Sequence, residues 1–190
     1  MLDKKQRKHN RLINFDYQTN GLYFVTICTR NREHLFGGVY HDFMCVNRIG
    51  SVVYRQWEWL FVQYPYIINH GFIVMPNHVH GIIEIDRSLI GDKEWLVKHG
   101  RDRSRPVPTD VANKLDIEIN IKPTKILSLS NIIGAFKTTS SKIIHQQCLL
   151  RFAWQRSFHD HIIKNEKEYD QIYKYVRMNP VLWNRDRNNI

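Results

Sequence analysis

A chain of 190 residues, 43% apolar and 12% aromatic, has the length of one domain and is too apolar to be disordered throughout. Lys and Arg number 28 against 18 Asp and Glu, a formal net charge of +10. This excess favours a polyanionic partner, nucleic acid before an anionic membrane surface. No apolar run approaches the roughly 18 residues that a membrane span needs, so no membrane partner is expected.

Residues 1–20 read as a polar arm, with Lys4, Lys5, Arg7, Lys8 and Arg11 close together. No apolar stretch follows it, so a secretory signal is not expected. Leu22 to Thr29 is β-branched and aromatic and ends in Arg30-Asn31-Arg32, which predicts a strand. Residues 47–62 carry Ile49, Val52, Val53, Trp57, Leu60 and Phe61 at the spacing of an amphipathic helix. Ile67 to Val74 reads as a strand, Met75-Pro76-Asn77 as a turn, and His78 to Ile85 as a second strand paired with the first.

Residues 86–125 change character. Lys98 to Pro108 is charged and contains prolines, the composition of a loop. An excursion this long is an insertion or a functional lid. Leu127 to Gln147 returns to helix, with Ser128 or Ser130 as its N-cap. Arg151 to Phe158 is short and aromatic and reads as a last strand. Glu166 to Met178 reads as a helix, stopped by Pro180. The positive charge is densest after residue 125, with ten Lys and Arg against five acids. Cys28, Cys45 and Cys148 are odd in number and widely spaced, so reduced thiols in a cytosol are expected, without a disulfide framework or a cysteine zinc site.

The predicted order is β-α-β-β-α-β-α. Its first six elements match an α+β, ferredoxin-like βαββαβ plan, an antiparallel sheet with helices on one face. A C-terminal helix follows. The domain boundaries are therefore 1–20 for the arm and 21–185 for the folded unit, with the insertion inside it.

Two features carry chemistry. In His78-Val79-His80 the two imidazoles share one face of a strand and can meet one divalent cation. The pattern alone is weak. Ten histidines in a chain of this length give such a pair by chance on the order of 0.5 times, and His159-Asp160-His161 is a second copy, placed at a strand-to-helix junction. A polar strand face without metal fits His78 and His80 as well. In the last helix, Tyr175 and Asn179 are four apart and share a face, at the edge of a stripe of Tyr169, Ile172, Tyr173 and Val176. A tyrosine hydroxyl is a covalent nucleophile when a cation or base lowers its pKa from about 10. An amide oxygen at i+4 can supply another metal ligand. Packing by Tyr175 and helix capping by Asn179 are the plainer alternative.

The ordered set Met75-Pro-Asn-His-Val-His-Gly-Ile-Ile83, Trp154-Gln-Arg-Ser-Phe-His-Asp-His-Ile-Ile-Lys-Asn-Glu166 and Tyr175-Val-Arg-Met-Asn-Pro180 resembles the HUH single-tyrosine transposases, and among them the REP-associated tyrosine transposases. The likeness runs from about Tyr23 to Trp183, outside the 86–125 excursion. It implies a bacterial, cytoplasmic and nucleoid-associated enzyme that cleaves and rejoins single-stranded DNA beside a hairpin or palindromic repeat. By the same resemblance His78, His80 and Asn179 hold Mg²⁺ or Mn²⁺, and Tyr175 forms a 5′-phosphotyrosine link.

The chain departs from the family's common pattern at Phe158-His159, where an aromatic pair is usual, and in its long insertion. Candidate DNA contacts are Lys4, Lys5, Arg7, Lys8, Arg11, Arg30, Arg32, Lys137 and Arg156. Trp57, Trp59, Trp154 and Trp183 are candidate stacking groups for bases, or core. Monomer and homodimer both remain open, as does whether Tyr175 serves its own histidine pair or a partner's. The rival functions are a non-catalytic hairpin DNA or RNA binder and a metal-dependent nuclease that uses water.

Overall fold

The computed structural model describes residues 20–90, 127–147 and 151–189. The Lys4–Arg11 arm, most of the 86–125 excursion and Cys148 lie outside the described residues.

The elements are β1 (Gly21–Cys28), β2 (Gly37–Tyr40), β3 (Phe43–Val46), α1 (Arg48–Gln63), β4 (Ile67–Val74), β5 (His78–Ile85), α2 (Leu129–Gln146), β6 (His159–Ile163) and α3 (Glu166–Met178). The main sheet has the order β4-β5-β1-β6 and every pairing in it is antiparallel. This is the ferredoxin-like plan. The strands come from separated stretches of chain, and β1 and β5 are its centre.

Alternation on β1 sorts the two faces. Tyr23, Val25 and Ile27 are fully buried against α1 and α2, in a core with Val53, Trp57, Leu60, Ile132, Ile133 and Phe136. Leu22 and Phe24 face the other way, with Ile82, Ile163 and Val176. The C-terminal helix α3 therefore covers the face opposite α1 and α2, and its stripe of Tyr169, Ile172, Tyr173 and Val176 is the surface it buries. Each helix starts on a side-chain cap. Asn47 Oδ1 accepts from Gly50 N at 2.9 Å on α1, Ser128 caps α2, and Asn165 Oδ1 accepts from Glu168 N at 2.9 Å on α3.

Gly81 shows how closely the α1 layer sits. A Cβ there would lie 2.5 Å from the Trp57 ring, which is fully buried and stacked on Phe72 at 4.5 Å. Gly81→Ala is expected to destabilise the fold by about 1–3 kcal/mol through overpacking, read as a lower urea midpoint with an unchanged slope.

Two elements differ from the sequence expectation. The β2–β3 hairpin is an addition. Its turn is His41-Asp42, both at positive φ (47° and 66°), a conformation usually signalled by Asn-Gly, and its four-residue strands bury no face completely. The last strand is His159–Ile163, not Arg151–Phe158. Phe152 and Trp154 are buried as strand residues would be, but the segment's contact with the sheet is an isolated bridge from Trp154 to Thr29. Burial of aromatics imitated a strand without a ladder. His159-Asp160-His161 consequently lies within β6 and not at a junction.

Candidate metal and nucleophile centre

β5 runs with Val79, Gly81 and Ile83 toward α1, so His78 and His80 face α3. They are 0% and 1% exposed. Their Nε2 atoms are 3.0 Å apart. The surroundings set the tautomer of His78. Asn77 Nδ2 donates to Arg32 O at 3.1 Å and to Asn188 O at 2.7 Å, which turns Asn77 Oδ1 toward His78 Nδ1 at 2.8 Å. His78 therefore donates from Nδ1 and carries a lone pair on Nε2. His80 Nδ1 is 2.9 Å from Thr26 Oγ1, across the β1–β5 register that pairs the two residues. Buried partners that fix the distal nitrogen are the usual support of a metal-binding histidine. Two imidazole nitrogens this close, on one strand face, can serve one divalent cation.

Two more donors close the centre. Asp186 joins His78 and His80 in a group whose ligand atoms all lie within 4.8 Å of one another. Its carboxylate is 2% exposed, with Oδ2 3.9 Å from His78 Nε2. Asn179, the C-cap of α3, donates from Nδ2 to Asp186 Oδ2 at 3.2 Å. Its Oδ1 is buried and has no hydrogen-bond partner among the described residues. A buried amide oxygen without a donor is costly, and a cation beside it removes that cost. Two imidazoles and a carboxylate make a set that fits a divalent ion, with this orphaned oxygen on a residue bonded to the carboxylate.

Tyr175 stands over the pair. Its hydroxyl is 3.4 Å from His80 Nε2. Its ring packs on His80 at 5.2 Å and edge-on to Phe24 at 6.1 Å. The tyrosine remains 36% exposed, so an outside group can reach it. Burial, followed by the negative charge of Asp186, pushes its phenol above the ordinary value. Tyr169 and Tyr173 instead stack on each other at 5.8 Å.

Burial also holds both imidazoles below the ordinary histidine value, outweighing for His78 the opposing pull of Asp186. Below about pH 6.5 the unfolded chain therefore takes up protons that the folded chain refuses. In chelator, the urea midpoint is expected to hold above that pH and to fall as pH drops below it. His78→Gln is expected to flatten the curve.

The other sequence candidates are spread around this centre. Arg32 Nη1 donates to Arg187 O at 2.7 Å, and the charges of both arginines act on His78 and disfavour its protonation. Arg30 and Arg156 are exposed. Lys137 spends its ammonium on Gln155 O at 2.9 Å and Ser157 O at 3.1 Å, and burial lowers its pKa to about 8. Trp57 and Trp154 belong to the core, whereas Trp183 lies 5.9 Å from the His78 ring. Sequence reasoning missed Asp186, Thr26 and Asn77. Asn77 stood next to the histidine motif and Thr26 on a legible strand. Asp186, between Arg185 and Arg187, carried no local signal.

The centre thus sits on a four-stranded antiparallel sheet, with the buried histidine pair on the face that the tyrosine-bearing helix covers. The structure of a REP-associated tyrosine transposase bound to a REP hairpin superimposes with a TM-score of 0.53, 19% identity, and coverage of 90% of this chain and 73% of that one. The chain belongs to one family with an uncharacterized protein of Haemophilus influenzae, to which it is 30% identical over 187 residues, 95% of this chain and 92% of the other. No protein-family model matches the chain.

Proposed function

We propose that the protein cleaves and rejoins single-stranded DNA beside a hairpin, through a covalent 5′-phosphotyrosine, as in DNA transposition. The observation that carries this reading is the Tyr175 hydroxyl, 3.4 Å from a histidine of the buried His78–His80–Asp186 cluster. The tyrosine reaches the histidines of its own chain, which supports a centre served in cis. Among the described residues no helix is long and apolar enough to cross a membrane.

His78, His80, Asp186 and Asn179 would hold a divalent ion, Mg²⁺ or Mn²⁺. Bound there, the ion supplies positive charge that polarises the scissile phosphate and favours the phenolate. The chain's own residues do the rest. Asn77 and Thr26 hold the two imidazoles in place. Phe24 and His80 fix the tyrosine ring. The Tyr175 oxygen attacks phosphorus in line and its proton passes to solvent; the P–O3′ bond breaks, and the 3′ oxygen takes a proton from solvent and leaves as a hydroxyl. The phosphodiester energy stays in the tyrosyl link, so a second 3′-OH reverses the step and joins strands. Arg32 and Arg187, whose charges act on His78, suit the flanking phosphates.

The test is a denaturing gel of the full chain with labelled hairpin oligonucleotides carrying unpaired flanks. A protein–DNA band that needs Mg²⁺ or Mn²⁺ and disappears in chelator is expected. Cutting without such a band would favour water as the nucleophile, and binding without cutting would favour a binding module. Binding is also expected to weaken steeply with salt, because the net charge of +10 releases counterions from the DNA. A flat salt dependence would point to another kind of partner.

A further inference from the structure

On the side of α2 away from α1, the helix and the segment 152–156 enclose an open groove of about 760 Å³. Phe152 and Trp154 line its floor, and Lys142, His145 and Arg156 lie along it without an acidic residue among the lining groups. His145 is committed, with Nε2 2.8 Å from Phe152 O. Lys142 and Arg156 are exposed, and among the described residues neither side chain has an ion-pair partner. Two cations without counter-charges on one concave strip fit an anionic ligand held by its backbone.

The groove adjoins a second cleft that reaches toward the centre. That cleft, of about 300 Å³, contains Thr26, the partner of His80, together with Arg32, Arg187 and Ser157. Gln155 lines both cavities. Residues 155–157 are thus a ridge between them, and Lys137 anchors that ridge from α2 through the carbonyls of Gln155 and Ser157. The lining of the two cavities together offers Arg32, Lys137, Lys142, Arg156 and Arg187 and no carboxylate.

We infer that the α2 groove is a second nucleic-acid site, which takes the phosphate backbone of the unpaired strand as it leaves the metal centre across the 155–157 ridge. Lys142 and Arg156 are its phosphate contacts, and Lys137 is a positioning residue that shapes the ridge. The site is sequence-tolerant, because Phe152 and Trp154 are buried and offer no stacking face to bases. The identity of the ligand as DNA rests on the function proposed above.

The experiment measures binding of the full chain, by fluorescence anisotropy, to a stem-loop with oligo(dT) tails of about 4, 8 and 16 nucleotides on either side, the span of common single-strand site sizes. The wild type is expected to bind more tightly as one of the two tails lengthens. Lys142→Gln/Arg156→Gln is expected to abolish that gain, about 10-fold for the longest tail, and to lower the salt slope by about 1.4 for two lost phosphate contacts. Both side chains are exposed, so an unchanged thermal midpoint verifies the fold. Lys167→Gln/Lys174→Gln, which removes equal charge from exposed positions of α3, keeps the gain. The inference is overturned if tail length does not matter, if the double variant keeps the gain, if the control pair loses it equally, or if the gain appears only when the flank is base-paired. Adduct formation is scored separately in the same samples. Its absence in the wild type would count against the tyrosine chemistry, while the groove is judged on affinity alone.

Discussion

Tyr175→Phe is expected to eliminate the covalent protein–DNA band and to lower strand cleavage by roughly 10⁴-fold or more, the scale seen when an enzyme's only nucleophile is removed. The reasoning is local. The ring contacts with Phe24 at 6.1 Å and His80 at 5.2 Å survive the loss of one oxygen. The contact from the hydroxyl to His80 is long, at 3.4 Å, so its removal costs well under about 1 kcal/mol of stability. The variant should fold and bind DNA yet form no adduct. Tyr169→Phe and Tyr173→Phe are the controls. Tyr173 lies against Gly71, where an added Cβ would be 3.6 Å from its ring, and Tyr169 meets the His70 ring at 5.7 Å. Both should retain the adduct. An adduct surviving in Tyr175→Phe but lost in Tyr169→Phe would assign the chemistry to another tyrosine of the same helix. An adduct unaffected by all three changes would remove tyrosine from the mechanism.

The second large effect concerns the ion. His78→Ala is expected to abolish cleavage while leaving much of the DNA affinity, since phosphate contacts come mainly from Lys and Arg. Asp186→Asn is the sharper probe. It keeps the side chain's size and the hydrogen bond from Asn188 N to Oδ1, 2.7 Å in the wild type, and removes the negative charge beside His78. Calorimetry with Mn²⁺ is expected to show affinity lower by about 100-fold, the upper end of losses measured even for groups outside the ligand set. Unchanged Mn²⁺ affinity in Asp186→Asn would reduce Asp186 to a residue that closes the pocket. Full cleavage by His78→Ala in chelator would remove the histidine pair from the chemistry.

Much of the architecture was legible in the sequence, because strands and helices with one buried face print their period on the chain. Leu22–Thr29, Ile67–Val74, His78–Ile85 and the helices at 47–62 and 166–178 needed nothing beyond alternation or a stripe. His78 and His80 were assigned to one face for the same reason, and Tyr175 and Asn179 by helical spacing. The β2–β3 hairpin was not legible, since its His41-Asp42 turn at positive φ lacks the glycine that marks such hairpins in a sequence. Nor was the last strand, because Phe152 and Trp154 bury their rings without joining the ladder.

The tertiary structure alone decided the rest. It put α3 on the face opposite α1 and α2, which brings Tyr175 to the histidine pair across 95 residues of chain. It also brought Asp186 to His78 across more than a hundred residues. Periodicity reports which way a side chain faces and not which distant side chain it meets; that meeting is fixed by the antiparallel register of β1 with β5 and by the packing of α3's apolar stripe onto Ile82 and Ile163.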